Sequence, residues 1–296
     1  REHLLLINMI GLKKIKPFIE LIRIDRPIGI LLLLWPTLWA LWIAGHGQPS
    51  LKIVIIFIFG TFFMRSAGCV VNDFADKKYD KDVTRTQKRP LASGILKSHH
   101  AMWVFLTLIG CSFLLVSQTN RLTLELAVIG FFLASTYPYA KRFTYLPQIH
   151  LGIAFGWAIP MSFAAQISAL PRECWAIFIV TIIWAVIYDT EYAMVDRDDD
   201  LKIGVKSTAI LFGEDDRFII GLLQILMLFG LFMIGNVASL SWQFYLSIAI
   251  TALIFCHQQL KLKERTRNAY FKAFRSNNYV GLTIFIGVWA NYYFQT

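Results

Sequence analysis

Long apolar stretches alternate with shorter polar ones along almost the whole chain. A helix needs roughly 20 mostly apolar residues to cross the hydrocarbon core of a bilayer. The pattern predicts nine such helices, at residues 28–46, 51–72, 103–119, 122–140, 148–168, 174–192, 217–236, 240–260 and 279–296. We therefore expect an all-α, polytopic membrane protein, with one transmembrane domain over residues 28–296.

Connections between the predicted spans differ in length and charge. Some are turns of two or three residues, as at 119–121, and these predict tight helical hairpins. Four others are long or heavily charged, and the alternation of spans places all four on one face. These four are residues 73–102, 141–147, 189–216 and 261–278.

Composition and charge agree with this topology. Hydrophobic residues make up 56% of the chain and charged residues 16%, with a mean hydropathy of +0.55, whereas soluble domains have about 25% charged residues. Of 29 Lys and Arg, only Lys52, Arg121 and Arg172 fall in the opposite loops, and Arg65 lies within a span. Because Lys and Arg accumulate in cytoplasmic loops, we expect the charged face and the N-terminus to be cytoplasmic.

Residues 1–27 precede the first predicted span and read as an N-terminal extension with an interfacial amphipathic segment. The chain carries a net charge of +10, but its basic residues flank apolar spans. Orientation and attraction to anionic lipid headgroups account for that placement. The sequence therefore predicts the lipid bilayer as a partner and not a nucleic acid, and no segment indicates a protein partner.

Aspartates are concentrated where the second and sixth predicted spans reach the charged face. In each group, spacings of three, four or seven residues place the carboxylates on one side of a helix. Like charges near a low-dielectric region are unfavourable unless a cation compensates them, so such acids are functional candidates. The first group is Asp73, Asp76 and Asp80, and the second is Asp189, Asp196 and Asp200.

Metal binding explains the two groups together better than solvated loop charges, an alternative that stays open for either group alone. Asp and Asn oxygens without nearby His or Cys favour Mg²⁺ or Ca²⁺ over zinc. Since Mg²⁺ usually bridges one or two carboxylates to phosphates, the pair of groups predicts a diphosphate between them. Cations that suit this anion, and that also contribute to orientation, are Arg85, Lys88, Arg89, Lys141, Arg142, Lys202 and Lys206.

Arg65 is the exceptional cation, because it falls inside the second predicted span. A buried Arg at that depth is costly unless it is paired. One interpretation is a structural salt bridge to one of the aspartates. The other is that Arg65 binds the carboxylate of an acidic co-substrate, since guanidinium groups bind carboxylates in a bidentate manner.

Three motifs together resemble the UbiA superfamily of intramembrane prenyltransferases. They are Asn72-Asp73-x-x-Asp76-x-x-x-Asp80, Tyr137-x-x-x-Lys141 and Asp196-x-x-x-Asp200. The resemblance extends over nearly the whole chain, from Arg23-Ile24-Asp25-Arg26-Pro27 onward. Longer strings around residues 68–73, 89–94 and 188–208 resemble the bacterial branch that attaches polyprenyl groups to 4-hydroxybenzoate in ubiquinone biosynthesis.

The resemblance implies nine helices around a central cavity, in the bacterial inner membrane, with polyprenyl diphosphate and 4-hydroxybenzoate as substrates. It implies that Mg²⁺ is the cofactor and that its ligands are Asp73, Asp76, Asp80, Asp196 and Asp200. The expected substrate-binding residues are Arg65, Asn72, Arg89 and Lys141. The expected catalytic residues are Tyr137, Lys141 and Asp189, the last of which would orient the phenol or accept a proton.

Two alternatives remain at this point. The enzyme could act on another acceptor, as the menaquinone, haem O and homogentisate prenyltransferases do. A cation or anion transporter is disfavoured, because a transport pathway needs polar residues through the depth of the membrane. Gly152 and Gly156, four residues apart in the fifth span, predict close helix packing and no chemistry.

Overall fold

The computed structural model describes residues 14–294, and this part of the chain is helical without any strand. A short helical segment covers residues 14–21. Two single turns of 3₁₀ helix, Tyr79–Lys81 and Gly213–Asp215, interrupt the connections. The α-helices are α1 Ile28–Ala44, α2 Leu51–Ala75, α3 Ser98–Val116, α4 Arg121–Ala140, α5 Pro147–Gly156, α6 Ala158–Ile167, α7 Arg172–Ile203, α8 Thr208–Phe212, α9 Asp216–Val237, α10 Trp242–Leu262 and α11 Arg267–Tyr293.

Five helical stretches among residues 14–294 are long and apolar enough to cross a bilayer. They are α2, α3, α4, α7 and the stretch Thr208–Val237, which joins α8 to α9. Helix α1 is apolar but shorter. The fifth predicted span is present as two helices, α5 and α6, which meet at Trp157. The all-helical, polytopic architecture is thus confirmed, whereas the number of nine spans stays a prediction.

Two helices extend well beyond the apolar segments predicted for them. Helix α7 has 32 residues, which gives roughly 48 Å at about 1.5 Å per residue, longer than a bilayer core. Helix α11 begins at Arg267, in a connection that was predicted to be a charged loop. Apolar composition marks where a helix lies in the membrane, while the helix itself continues until a terminator such as Gly204 at the end of α7.

The short connections gather at the end of the bundle away from the aspartates. Lys52, at the start of α2, donates from Nζ to the carbonyl oxygen of Gln118 at 3.4 Å. Asn120, which caps α4, donates from Nδ2 to the carbonyl oxygen of Ala164 in α6 at 2.5 Å. The predicted hairpin turns therefore share one end, and the charged connections share the other.

The largest hydrophobic core lies where α1, α7 and α11 meet. Trp39 and Trp184 are fully buried and stack with ring centroids 5.3 Å apart. Each indole nitrogen has an acceptor on α11: Trp39 donates to the carbonyl oxygen of Gly281 at 3.0 Å, and Trp184 to Asn277 at 2.9 Å. These hydrogen bonds satisfy polar groups that would be costly to bury unpaired, so they fix α11 against the other two helices.

The helical segment at residues 14–21 packs on the outside of the bundle. Leu21 is fully buried in a second apolar cluster with Ala67 and Val70 of α2 and with Leu91. This contact ties the segment to the helix that carries the first aspartate group. The predicted extension at residues 1–13 lies outside the described residues, and the interfacial role of the segment stays a prediction.

Gly152 and Gly156 permit the close approach of α5 and α7. A Cβ atom added to Gly152 would lie 3.0 Å from the Cα atom of Ile182, and one added to Gly156 would lie 3.0 Å from the Phe178 ring. The close packing predicted for this pair is confirmed.

We expect Gly152→Leu to destabilise the protein by about 3 kcal/mol, because the new side chain would push α5 away from the α7 backbone. Thermal unfolding of the purified protein measures this effect. Gly110→Leu is the matched control, since a Cβ atom added to Gly110 in α3 would meet no described atom within 4 Å apart from the neighbouring backbone of its own helix. Equal melting temperatures for the two variants would contradict the packing role of Gly152.

Candidate active site

A cavity of about 1420 Å³ opens between α1, α2, α4, α5, α7 and α11. The segment 76–97, which connects α2 to α3, forms part of its wall. All eleven site residues expected from the sequence line this one cavity. They are Arg65, Asn72, Asp73, Asp76, Asp80, Arg89, Tyr137, Lys141, Asp189, Asp196 and Asp200.

The first aspartate group lies at the end of α2, where the helix gives way to a 3₁₀ turn. The backbone amide of Asp76 donates to the carbonyl oxygen of Asn72 at 2.9 Å, and that of Asp80 to Asp76 at 2.8 Å. This continued helical winding brings the carboxylates together on the cavity side. Asp73 and Asp76 are each 1% exposed and Asp80 is 6% exposed. Such deep burial of three acids requires nearby cations.

Two arginines supply cations to this group. Arg23 donates from Nη2 to both carboxylate oxygens of Asp73, at 2.8 and 2.9 Å. Arg89 lies between two acids, with Nη1 at 3.0 Å from Asp73 Oδ1 and 2.9 Å from Asp80 Oδ2. Burial would lower the pKa of Arg89, but the two carboxylates more than offset this and raise it. Arg89 therefore stays charged.

Asp76 pairs with Lys141, which follows the last residue of α4. Lys141 is held in place because its carbonyl oxygen accepts from the backbone amide of Lys206 at 3.1 Å. Burial raises the pKa of Asp76, and Lys141 offsets part of that shift. The second carboxylate oxygen, Oδ1, is buried without a hydrogen-bond partner among the described residues.

The second aspartate group lies on α7, and Arg85 reaches it from the segment that follows the first group. Arg85 donates from Nε to Asp196 at 2.9 and 3.0 Å, and from Nη1 to the Tyr192 hydroxyl at 2.5 Å. Its guanidinium also lies 4.7 Å from the centroid of the Tyr192 ring. Asp200, one turn further along α7, forms no ion pair within the described part of the chain.

Arg65 lies within α2 at the cavity wall, and it forms no ion pair with any described residue. Its Nη1 is 2.8 Å from Cys69 Sγ, and its guanidinium lies 5.3 Å from the centroid of Phe155. Its Nε is buried without a partner in residues 14–294. Gly29 provides the room, since a Cβ atom there would lie 2.7 Å from Arg65 Nη2. The structure therefore shows no salt bridge from Arg65 to a described aspartate, and its guanidinium is positioned to bind a further carboxylate.

Asp189 lies on α7 near Arg65, where the Gln148 side chain lies against it. Gln148 is itself fixed, because its Oε1 accepts from the backbone amide of Thr208 at 3.0 Å. Asp189 thus belongs to the inner part of the cavity, together with Arg65 and Tyr137. The metal-ligand candidates belong to the part formed by the ends of α2 and α7.

The carboxylates fit a divalent cation, although they are turned toward basic partners. Among the described residues, no group of three His, Cys, Asp or Glu side chains is close enough together to hold a metal. The donors are nevertheless all carboxylate oxygens, which suit Mg²⁺. Asp76 keeps one buried oxygen, Oδ1, that has no hydrogen-bond partner among the described residues. Exchange of basic partners for a metal would supply a partner for that oxygen.

Sequence reasoning did not name Arg23 or Tyr192 and gave Arg85 only as one of the cations that suit a diphosphate, yet all three line the cavity. Arg23 belongs to the string with which the family resemblance begins, and Arg85 is one of the cations that follow the first group. Their partners are 50 and 111 positions away along the chain. Only the tertiary structure shows which acid each arginine contacts.

Comparison with curated proteins shows close relatives over nearly the whole chain. The chain is 54% identical over 282 residues to a 4-hydroxybenzoate octaprenyltransferase from Providencia stuartii, covering 95% of this chain and 98% of that protein. It is 53% identical over 285 residues to a protein of the same name from Psychromonas ingrahamii, covering 96% and 99%.

Solved structures show the same fold at low sequence identity. The apo structure of a UbiA homolog from Aeropyrum pernix matches with a TM-score of 0.77 at 23% identity, over 87% of this chain and 96% of that one. A UbiA homolog from Archaeoglobus fulgidus, bound to GPP and Mg²⁺, matches with a TM-score of 0.67 at 15% identity, over 93% and 99%.

The model of the UbiA prenyltransferase family matches residues 33–278, which is most of the chain. This range includes the eleven cavity residues that the sequence motifs indicate. The chain therefore belongs to the UbiA prenyltransferase family.

Proposed function

We propose that this protein transfers a polyprenyl group from polyprenyl diphosphate to the ring carbon ortho to the hydroxyl of 4-hydroxybenzoate, a step of ubiquinone biosynthesis. The observation that carries the proposal is one cavity with two unlike regions. Paired acids and cations lie in one region. Arg65, whose Nε is buried and which has no described ion-pair partner, lies with Asp189 in the other. Relatives named 4-hydroxybenzoate octaprenyltransferase at 52 to 54% identity support the choice of acceptor.

The residues proposed to hold Mg²⁺ are Asp73, Asp76, Asp80, Asp196 and Asp200. Bound Mg²⁺ would neutralise the donor's diphosphate and make it a better leaving group. The UbiA homolog from Archaeoglobus fulgidus was solved with both GPP and Mg²⁺ bound. Its identity to this chain is low, so the metal assignment depends on the oxygen-only donor set described above.

Basic and amide side chains are proposed to bind the diphosphate directly. Lys141 and Arg89 would stabilise the negative charge that develops as the bond between the allylic carbon and the diphosphate oxygen breaks. Asn72 adds an amide donor at the same end of α2, and Tyr137 lies one turn before Lys141 in α4. These groups have fixed positions in the cavity wall, so little reorganisation is needed during the reaction.

The inner region is proposed to bind the acceptor. Arg65 would form charge-assisted hydrogen bonds to the carboxylate of 4-hydroxybenzoate. The ring carbon ortho to the hydroxyl then attacks the allylic carbon, and Asp189 orients the phenol or accepts the proton that leaves the ring. Aromatic side chains of the wall, among them Phe155 and Tyr188, stabilise positive charge through their ring faces and exclude water.

We further propose that the protein lies in the bacterial inner membrane with its N-terminus and the diphosphate region on the cytoplasmic side. The bias of Lys and Arg toward one set of connections supports this orientation. The long apolar tail of the donor stays in contact with lipid when the acceptor site is inside a membrane bundle. A water-soluble acceptor such as 4-hydroxybenzoate enters from the cytoplasm.

The experiment that tests the proposal compares acceptors and metal conditions. With geranyl diphosphate as donor, we expect a prenylated product from 4-hydroxybenzoate in the presence of Mg²⁺ and none with EDTA. Homogentisate and 1,4-dihydroxy-2-naphthoate should react at least about tenfold more slowly, because a misplaced hydroxyl or a larger ring loses well-oriented contacts. Faster turnover of either compound would contradict the acceptor assignment, and activity in EDTA would contradict the metal assignment.

A further inference from the structure

Most of the proposed metal ligands are neutralised by cations of the chain itself. Asp73 and Asp80 share Arg89, Asp76 pairs with Lys141, and Asp196 pairs with Arg85. A divalent cation therefore has to compete with groups that are already in contact with the carboxylates. The competition is strongest where the internal cation makes the most contacts.

Arg85 makes the most contacts of these cations. It donates to both oxygens of Asp196 through Nε, donates to Tyr192 through Nη1, and lies over the Tyr192 ring. The Arg85 side chain is 26% exposed and that of Asp196 is 11% exposed. Arg267 is different, since it contacts Asp198 and Asp199 at 3.4 Å and is itself 48% exposed. Because these contacts are longer and the guanidinium is more exposed, each contributes less than the Arg85–Asp196 pair.

Arg85 also bridges the two aspartate groups. It belongs to the segment 76–97, which begins with the first group at the end of α2, and its partners lie on α7. The same segment carries Arg89, which binds the first group. A ligand that enters between the groups therefore meets Arg85 and Arg89 on a single connection.

Removal of the cation from a buried pair leaves the other charge uncompensated, and this is strongly unfavourable. A metal ion that displaces Arg85 from Asp196 leaves a partly buried guanidinium without its carboxylate, with only the Tyr192 hydroxyl as an acceptor. Diphosphate oxygens are suitable acceptors for that guanidinium. Binding of the metal alone at Asp196 is therefore only weakly favourable. When the diphosphate binds as well, the metal compensates Asp196 and the diphosphate compensates both the metal and Arg85.

We propose that Arg85 is an internal counter-ion of Asp196, which moves to the diphosphate when the donor binds and thereby couples metal binding to donor binding. This inference rests on the metal site of the proposed function. According to this proposal, Arg85 determines the order in which the metal and the donor bind. Free metal would not occupy the second aspartate group until the donor is present.

The test measures two affinities of the purified full-length protein, that for Mn²⁺ alone by electron paramagnetic resonance and that for geranyl S-thiolodiphosphate in EDTA. For Arg85→Gln we expect Mn²⁺ binding about tenfold tighter, because the competing cation is gone. We expect binding of the thiolodiphosphate about tenfold weaker, because a charge-assisted contact is lost. If Arg85 had only a structural role, Arg85→Gln would weaken the binding of both Mn²⁺ and the thiolodiphosphate.

Arg267→Gln is the matched control, since it also removes an arginine that contacts carboxylates of α7. Both affinities of this variant should stay within about twofold of wild type, because the Arg267 guanidinium is half exposed and contacts neither Asp196 nor Asp200. Arg85→Lys keeps the charge but not the bidentate geometry, so it should show the same two changes in affinity with smaller magnitude. This variant replaces Arg85→Gln in the test if Arg85→Gln does not fold.

The inference is overturned if Mn²⁺ binding by Arg85→Gln is unchanged or weaker, or if Arg267→Gln changes equally. These outcomes leave the proposed metal site intact as long as wild type binds Mn²⁺ together with the thiolodiphosphate. If wild type binds no Mn²⁺ even with the thiolodiphosphate, the metal site of the proposed function is contradicted, and the inference fails with it.

Discussion

Replacement of Asp76 by asparagine is expected to lower kcat by at least about a thousandfold, since metal-assisted departure of a leaving group contributes several kcal/mol. Asp76 is 1% exposed, lines the cavity, and has one carboxylate oxygen without a partner in the described part of the chain. The amide keeps the size of the side chain but removes its charge. It would also leave Lys141 without its carboxylate.

Asp82→Asn is the matched control for this prediction. Asp82 belongs to the same segment, but it is exposed and does not line the cavity. We expect its activity to stay within about twofold of wild type, as is usual for a surface substitution. Thermal unfolding of both variants separates loss of chemistry from loss of fold. If folded Asp76→Asn retained a tenth of wild-type activity, Asp76 would not be a metal ligand.

Arg65→Gln is expected to raise the KM for 4-hydroxybenzoate by about a hundredfold, since hydrogen bonds to charged groups contribute up to about 3 kcal/mol. Arg65 forms no ion pair in the described part of the chain, and its buried Nε has no partner there. A substrate carboxylate would supply both the missing ion pair and an acceptor for Nε. The KM for geranyl diphosphate should change little, because the proposed diphosphate site lies at the ends of α2 and α7, apart from Arg65.

An acceptor without the carboxylate provides the control for Arg65. With 4-hydroxybenzamide, wild type and Arg65→Gln should have similar KM values, because the ionic contact is absent in both. Arg65→Lys should restore part of the affinity for 4-hydroxybenzoate, since it keeps the charge but not the planar geometry. An increase confined to the KM of the donor would contradict acceptor binding by Arg65.

The helical architecture and the two aspartate groups could be predicted from local features of the sequence, and the other cavity residues followed from the family resemblance. Apolar runs mark membrane helices, and the fixed spacing of the aspartates places them on one helix face. Asp189, Asp196 and Asp200 do lie on a single helix, α7. The sequence underestimated the length of α7, because charged residues lower its hydropathy without interrupting it before Gly204.

The partners of the cations could not be predicted, because they depend on packing between distant segments. Arg85 and Asp196 are 111 positions apart, and Arg23 and Asp73 are 50 positions apart. Arg65 had two interpretations in the sequence, a salt bridge or a substrate contact. The three-dimensional structure shows no ion pair between Arg65 and a described acid, although Asp189 lies nearby.

The most direct test of the proposed reaction is the structure of its product. Purified protein is incubated with Mg²⁺, geranyl diphosphate and 4-hydroxybenzoate, and the product is examined by mass spectrometry and nuclear magnetic resonance. We predict one product, with the geranyl group on carbon 3, a free hydroxyl and a free carboxylate, and with one diphosphate released per product. A geranyl ether or ester, or diphosphate release without a carbon–carbon bond, would contradict ring prenylation in this cavity.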